Sequence, residues 1–205
     1  MKKSILPVLL VVAAVVLYFV FRPEKAVGPV VESDQEQTND GEENMKNSSN
    51  LEFPGRLADE RIFNKKAVLN TEKGLIELEL FADKAPLTVS NFVYLVENKF
   101  YDGLTFHRVV PGFVIQGGDP NGNGTGGPGY SFEDEEVLGD YVKGSLAMAN
   151  SGPDTNGSQF FICLEDQLSL PKQYNLFGKV ISGMDVVSSI EIDDKINSIV
   201  IEPIG

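Results

Sequence analysis

With one cysteine, the 205-residue chain has no partner for an intramolecular disulfide and no multi-cysteine metal site. Cys163 stands among Phe160, Phe161 and Ile162, the setting of a buried strand residue. One histidine, His107, excludes multi-histidine metal centres and leaves few arrangements for a Ser-His or Cys-His catalytic pair. Tryptophan is absent, so aromatic surface comes from 13 Phe and 6 Tyr. Positive charge is scarce: 17 Lys and Arg against 30 Asp and Glu give a net charge of −13, most of it in residues 51–205. A phosphate backbone would be repelled, so nucleic acid is not an expected partner. The acidic balance otherwise reads as a solvated surface. No internal repeat is present.

Three regions follow one another. Residues 1–22 open with Lys2 and Lys3 and run apolar from Ile5 to Phe21, a helical length of about 25 Å, just enough to cross a thin bilayer. A cleaved signal would carry a shorter apolar run and a small-x-small site. The nearby Ala26-Val27-Gly28 is followed by Pro29, which hinders cleavage. The expectation is an N-terminal transmembrane anchor, with a cleaved signal and a secreted product as the alternative. Lys2, Lys3 and the free amine outweigh Arg22 and Lys25, which favours a cytoplasmic N-terminus and a domain outside the cytoplasm. Residues 23–52 are rich in Glu, Asp, Gln, Asn and Ser and are expected to form a flexible acidic linker.

Residues 53–205 carry the pattern of one compact domain, long enough for a single core. In "AVLNTEKGLIELELF" two apolar runs flank Thr71-Glu72-Lys73-Gly74, and Ile76, Leu78 and Leu80 alternate with Glu77 and Glu79, which predicts a hairpin. "APLTVSNFVYLVENK" places Val89, Phe92, Val93 and Val96 on one helical face, with Pro86 near the first turn. Strand-like runs follow in "FHRVVPGFVIQGG", "GSLAMAN", "SQFFICL" and "YNLFGKVI", then a second helix around Met184 to Ile190. Many short strands with few helices predict an antiparallel barrel or sandwich. Nothing in the pattern calls for oligomerisation, and a monomer is expected.

The stretch "GGDPNGNGTGGPG", residues 117–129, contains G-x-G-x-x-G twice and also resembles a calcium loop. A dinucleotide fingerprint needs a helix immediately afterwards, because the helix N-terminus holds the pyrophosphate. "GGPGYSFEDEE" starts no helical period. For calcium, Asp119, Asn121, Asn123 and Gly124 fit the first positions, but Tyr130 stands where a bidentate Glu is required. The stretch is therefore expected to be a backbone-shaped rim, its glycines serving close approach, with Asp119 to Gly124 as surface turns.

Read together, "FHRVVPGFVIQGGDPNGNGTGGPG", "GSLAMANSGPDTNGSQFFI" and "LFGKVISGMDVV" resemble the signature segments of the cyclophilin peptidyl-prolyl isomerases, in order and spacing, across residues 55–205. The resemblance implies a mostly β fold, an eight-stranded antiparallel β-barrel capped by two α-helices. It implies isomerisation of X-Pro bonds in proline-containing polypeptides, as an aid to protein folding, without metal or other cofactor. Arg108 matches the family's catalytic arginine, and Phe113 and Gln116 stand with it. Phe113, Val114, Phe161 and Leu170 match the pocket for the proline ring, with Tyr174 as an aromatic face beside it. Gln116 and Asn150 would hydrogen-bond substrate backbone, Ala149 and Ser151 would line the adjoining groove, and Gln159 would support them. His107 matches a histidine outside the reacting pocket.

The chain departs from the family pattern at three places. Ser169 stands where many members carry a tryptophan, which weakens the expectation of tight cyclosporin binding. Val114 replaces a common methionine and Tyr174 a common histidine, and activity is expected to survive both.

The reaction has a barrier of about 18–20 kcal/mol. Twisting the amide localises the lone pair on the prolyl nitrogen, so a cation that donates a hydrogen bond there favours the twisted state. One charge-assisted hydrogen bond contributes roughly 1.5–3 kcal/mol, whereas a gain on the order of 10⁵ in rate needs about 7 kcal/mol. Arg108 alone is insufficient, and the remainder must come from a preorganised groove gripping both sides of the bond. The alternative is a non-catalytic module that uses the same groove to hold Pro-containing segments.

Overall fold

The computed structural model describes residues 51–204. The expected anchor and nearly all of the expected linker lie outside these residues. Among the described residues no helix is long and apolar enough to cross a membrane.

Eight strands form one antiparallel sheet: β1 (Lys65–Thr71), β2 (Gly74–Leu80), β3 (Arg108–Val110), β4 (Val114–Gly117), β5 (Ser145–Met148), β6 (Phe160–Cys163), β7 (Leu176–Ser182) and β8 (Ile196–Pro203). Their order is β3-β4-β6-β5-β7-β2-β1-β8. The segments entering β3 and β8 are bonded to each other, with Gly103 N–H on the Ile196 carbonyl at 2.7 Å and Phe106 N–H on the Asp194 carbonyl at 3.0 Å. The sheet is thus a half-barrel whose two edges are linked at one end. The expected hairpin is β1–β2, with Thr71 paired to Gly74 across the turn. The run "FHRVVPGFVIQGG" divides into β3 and β4 at the Pro111-Gly112 turn. β8 is a strand that the apolar runs did not signal. It pairs with β1 from Lys65↔Pro203 to Thr71↔Ile196, and a register shift at Asn70/Thr71 breaks its alternation.

Among the described residues three helices accompany the sheet: a single turn, α1 (Asp59–Ile62), and the two expected ones, α2 (Pro86–Glu97) and α3 (Met184–Ser189). α2 buries Val89, Phe92, Val93 and Val96 as its period requires, but Thr88, Ser90 and Asn91 are buried too. These polar side chains tie the helix to its surroundings. Asn91 donates to the Gly157 carbonyl at 2.7 Å and accepts from the Tyr130 hydroxyl at 2.7 Å. Leu57 N–H donates to Ser90 Oγ at 2.9 Å.

The N-cap position of α2, Ala85, supplies no side-chain acceptor. The carboxylate of Glu135, far along the chain, accepts instead from Leu87 N–H and Thr88 N–H, both at 2.8 Å, and from Thr88 Oγ1 at 2.6 Å. Two donors that helix geometry leaves orphaned are so satisfied, by a charge that also suits the positive helix end. Asn175 completes the link, accepting from Glu135 N–H and donating to Thr88 Oγ1, both at 2.9 Å.

The main core contains Leu69, Ile76, Leu78, Phe92, Phe106, Ile115, Met148, Phe160, Ile162 and Phe177. A second, smaller core on the other side of the same strands holds Val114, Tyr141, Ala147, Phe161, Cys163 and Leu176. Alternation explains the division: Ile115, Phe160 and Ile162 face the main core, and their neighbours Val114, Phe161 and Cys163 face outward. β5 and β6 are consequently buried at every position. Burial pushes the Cys163 thiol up to about 11, as befits a packed core residue.

Replacing Glu135 with Ala should lower unfolding stability by about 2 kcal/mol, and Glu135→Gln, which keeps an acceptor, by less. Urea denaturation of the three proteins checks this ordering.

Candidate active site

The outer face of β3, β4, β6 and β5 carries the site, and register assembles it. Arg108 pairs with Gln116, Gln116 with Phe161, and Phe161 with Ala147, so these four side chains form one row across the sheet. The next row sets Val110 against Val114 and Val114 against Cys163.

Above these rows lies a pocket of about 180 Å³ lined by Arg108, Phe113, Val114, Gln116, Ala149, Asn150, Phe161, Leu170 and Tyr174. Nine of the eleven residues singled out from the sequence therefore meet at one cavity. The other two, Ser151 and Gln159, line an adjoining groove of about 650 Å³ that shares Gln116, Ala149 and Asn150 with the pocket. The far wall of this groove is Gly124, Thr125, Gly126, Gly127 and Pro128, so the glycine-rich stretch is its rim.

The pocket is apolar at its base and cationic at its lip. Phe161 and Tyr174 meet edge to face, with ring centroids 5.5 Å apart. The Arg108 guanidinium stands 5.7 Å from the Phe113 ring centre. Arg56 pairs with Asp59 and Arg61 with Glu97, whereas among the described residues Arg108 has no carboxylate partner. Its Nη1 donates to Gln116 Oε1 at 3.3 Å, which leaves most of its donors open to the groove. Gln116 Nε2 donates to Gln159 Oε1 at 2.9 Å, and Gln159 Nε2 donates to the carbonyls of Gly124 at 3.1 Å and Gly126 at 2.9 Å. Asn150 is held by the Gln173 carbonyl, to which its Nδ2 donates at 2.8 Å.

One feature departs from the sequence reading. Asp119 is not a surface turn residue: it is 1% exposed. Its carboxylate accepts from the backbone N–H groups of Asn121 at 2.8 Å, Asn123 at 3.0 Å and Gly124, and this offsets the burial of its charge. Pro120 to Gly124 are exposed as expected. The glycines serve close approach, for at Gly118 the φ is +83° and a Cβ would run into the Ser158 carbonyl, and at Gly126 into the Asp119 carboxylate. His107 lines neither the pocket nor the groove, as expected of a residue outside the reacting pocket, and among the described residues neither ring nitrogen has a hydrogen-bond partner. Burial holds it below the usual imidazole range, so it stays neutral.

A further residue was not legible in the sequence. Tyr141, fully buried, donates its hydroxyl to the Tyr174 carbonyl at 2.7 Å and accepts from Tyr174 N–H at 3.0 Å. Burial raises its phenol to about 12, which keeps the proton it donates. One hydroxyl thus fixes the backbone that presents the Tyr174 ring to Phe161. The only local signal was an aromatic residue ahead of a buried strand.

An apolar pocket under an unneutralised guanidinium, continuous with a groove of amide and backbone groups, has the shape and chemistry to receive a polypeptide segment with a compact apolar ring. Comparison with known proteins agrees. Residues 66–203 match the family described as cyclophilin type peptidyl-prolyl cis-trans isomerase/CLD. A peptidyl-prolyl cis-trans isomerase of Synechococcus elongatus is 49% identical over 136 residues, 65% of this chain and 94% of the relative. Peptidyl-prolyl cis-trans isomerase B of Bacillus subtilis is 49% identical over 129 residues, 62% of this chain and 90% of the relative. A crystal structure of a cyclophilin from Cryptosporidium parvum superimposes with a TM-score of 0.63 at 35% identity, over 67% of this chain and 97% of that one. The chain belongs to the cyclophilin family and is a peptidyl-prolyl cis-trans isomerase.

Removing the Tyr141 hydroxyl by Tyr141→Phe leaves the Tyr174 N–H without its acceptor. The variant should lose about 1–3 kcal/mol of stability and bind an X-Pro peptide more weakly, which thermal unfolding and a peptide titration measure.

Proposed function

We propose that the domain isomerises X-Pro bonds in proline-containing polypeptides with Arg108 as the catalytic cation. The proline ring enters the pocket of Phe113, Val114, Phe161 and Leu170, beside Tyr174. There Arg108 donates to the prolyl nitrogen as the amide twists and its lone pair localises. Gln116 and Asn150 bond the substrate backbone, and Ala149 and Ser151 line the path of the flanking chain. The cross-strand row of Arg108, Gln116 and Phe161 carries this reading, since it sets a cation that has no carboxylate partner among the described residues at the lip of an apolar pocket. A crystal structure of the Cryptosporidium parvum cyclophilin type peptidyl-prolyl cis-trans isomerase, obtained in the presence of dipeptide Ala-Pro, supports the substrate class.

NMR exchange on a short X-Pro peptide tests the assignment. The wild-type chain should accelerate cis-trans exchange, and Arg108→Ala should reduce the effect about 10- to 150-fold, the worth of one charge-assisted hydrogen bond. Binding without acceleration by the wild type would favour a holding module instead.

We further propose that residues 1–22 anchor the protein as a monomer in a membrane, with residues 53–205 outside the cytoplasm and acting on exported or surface proteins as a folding aid. The apolar run from Ile5 to Phe21 and the charges of Lys2 and Lys3 support this reading. The full-length chain should remain in membranes after alkaline carbonate extraction and be digested by protease added from outside. A shortened, soluble product would show cleavage and secretion instead.

A further inference from the structure

We infer that Phe53 is a positioning residue for the groove beside the pocket: from a segment that precedes the family-matched part of the chain, it fixes the groove wall formed by Pro128 to Ser131. The inference rests on the reading that this groove takes the chain flanking the proline.

The wall has little of its own to hold it. Pro128, Tyr130 and Ser131 line the groove, yet among the described residues the backbone from Gly127 to Ser131 makes no hydrogen bond. The strands β4, β5 and β6 are locked to one another by their ladders, and this wall is not. Its place is therefore set by what its side chains pack against.

Tyr130 reaches back from the wall and donates its hydroxyl to Asn91 Oδ1 at 2.7 Å. The hydroxyl oxygen and the Cβ both lie on the long axis of the ring, so this bond leaves rotation about that axis open, and the torsion itself has only a broad preference. A contact from the side removes the freedom. Phe53 supplies it, with ring centroids 5.9 Å apart and planes tilted by 52°, a separation at which aromatic pairs attract. Phe53 is itself stacked on Phe132, with centroids 4.9 Å apart and planes 3° from parallel. Phe132 is buried, and its N–H donates to the Asn156 carbonyl at 3.0 Å, so the stack ends on a fixed ring. Phe53 thus grips Tyr130 and Phe132 together. Between them the exposed Ser131 faces the groove.

The gripping segment is fastened independently of the wall. The family match covers residues 66–203, and Phe53 lies ahead of it. Leu51 packs with Phe53 against the main core, Leu57 is buried with its N–H on Ser90 Oγ at 2.9 Å, and Ile62 in α1 is fully buried. Phe53 is consequently held from both sides along the chain. It acts on a substrate only through the wall, so it matters only to a substrate long enough to touch that wall.

Two peptides compared on the same full-length protein test this. One is a blocked Ala-Pro dipeptide, which fills the pocket alone, and the other is extended on both sides of Ala-Pro. NMR exchange gives kcat/KM for each, and the readout is the ratio of long to short, since partial unfolding lowers both values alike. Phe53→Ala should lower this ratio about 2- to 10-fold, the worth of one aromatic pair, by raising KM for the long peptide while the short one is unchanged. Phe53→Tyr keeps the ring and should keep the ratio. Phe53→Leu keeps apolar volume without the ring and should lower the ratio as Ala does, and it decides where the Ala variant does not fold.

An unchanged ratio in a folded variant that lacks the ring overturns the inference, as does an equal loss with both peptides. If the wild type handles the two peptides equally, the groove takes no flanking chain, and the reading beneath the inference falls instead.

Discussion

Cross-strand register is the constraint on which this site depends. A strand alternates its faces with a period of two, so a slip of one residue moves every side chain to the other side of the sheet. Here β3, β4, β6 and β5 are aligned so that Arg108, Gln116, Phe161 and Ala147 fall in one row. A slip of β3 alone would exchange Arg108 for Val109 at the lip of the pocket. The small residue at the end of the row matters too, since Ala147 leaves room above β5 beside Phe161. Register is protected because Ile115, Leu146, Met148, Phe160 and Ile162 are committed to the main core on the other side. The packing that stabilises the domain is thus the same packing that positions the residues of the pocket.

Polar groups refine what the strands set out. Glu135 holds the start of α2 and, through Asn175, the entry to β7. α2 in turn reaches the rim of the groove, for Asn91 holds both Gly157 and Tyr130. Tyr141 does comparable work at the base of the pocket. Each of these is a buried or half-buried polar group with its partners in place, the condition under which such a group adds rigidity rather than cost. In a chain of net charge −13, carboxylates compete for every arginine. At this site the exposed Arg108 instead lies beside the Phe113 ring and donates to an amide oxygen.

What could be read from the sequence divides along physical lines. The β1–β2 hairpin and α2 were legible because the period of Ile76, Leu78 and Leu80 and that of Val89, Phe92, Val93 and Val96 are local properties. β8 was not, since "INSIVIEP" lacks clean alternation and acquires its place by pairing with a bulged β1. The burial of Asp119 was invisible because a charged residue in a glycine-rich turn is buried only when backbone amides converge on it. Glu135 as a helix cap and Tyr141 as a brace are contacts between distant segments, and no window of sequence contains them. The pocket residues come from several separate segments, so their common role was readable only through resemblance to a family, and their meeting at one cavity is a property of the fold.

The pairing of β1 with β8 has a consequence for how the molecule is made. These strands open and close the sheet in chain order, yet they lie side by side from Lys65↔Pro203 to Thr71↔Ile196. During synthesis one edge of β1 therefore has no partner until the last strand has emerged. Contacts of such sequence separation slow folding and leave an apolar edge exposed meanwhile. The sheet becomes complete only when the whole domain is available at once, so a chain emerging from a narrow exit, whether ribosome or translocation channel, arrives as an incomplete sheet. A peptidyl-prolyl isomerase thus has, in its own fold, a long-range strand pairing that is completed last.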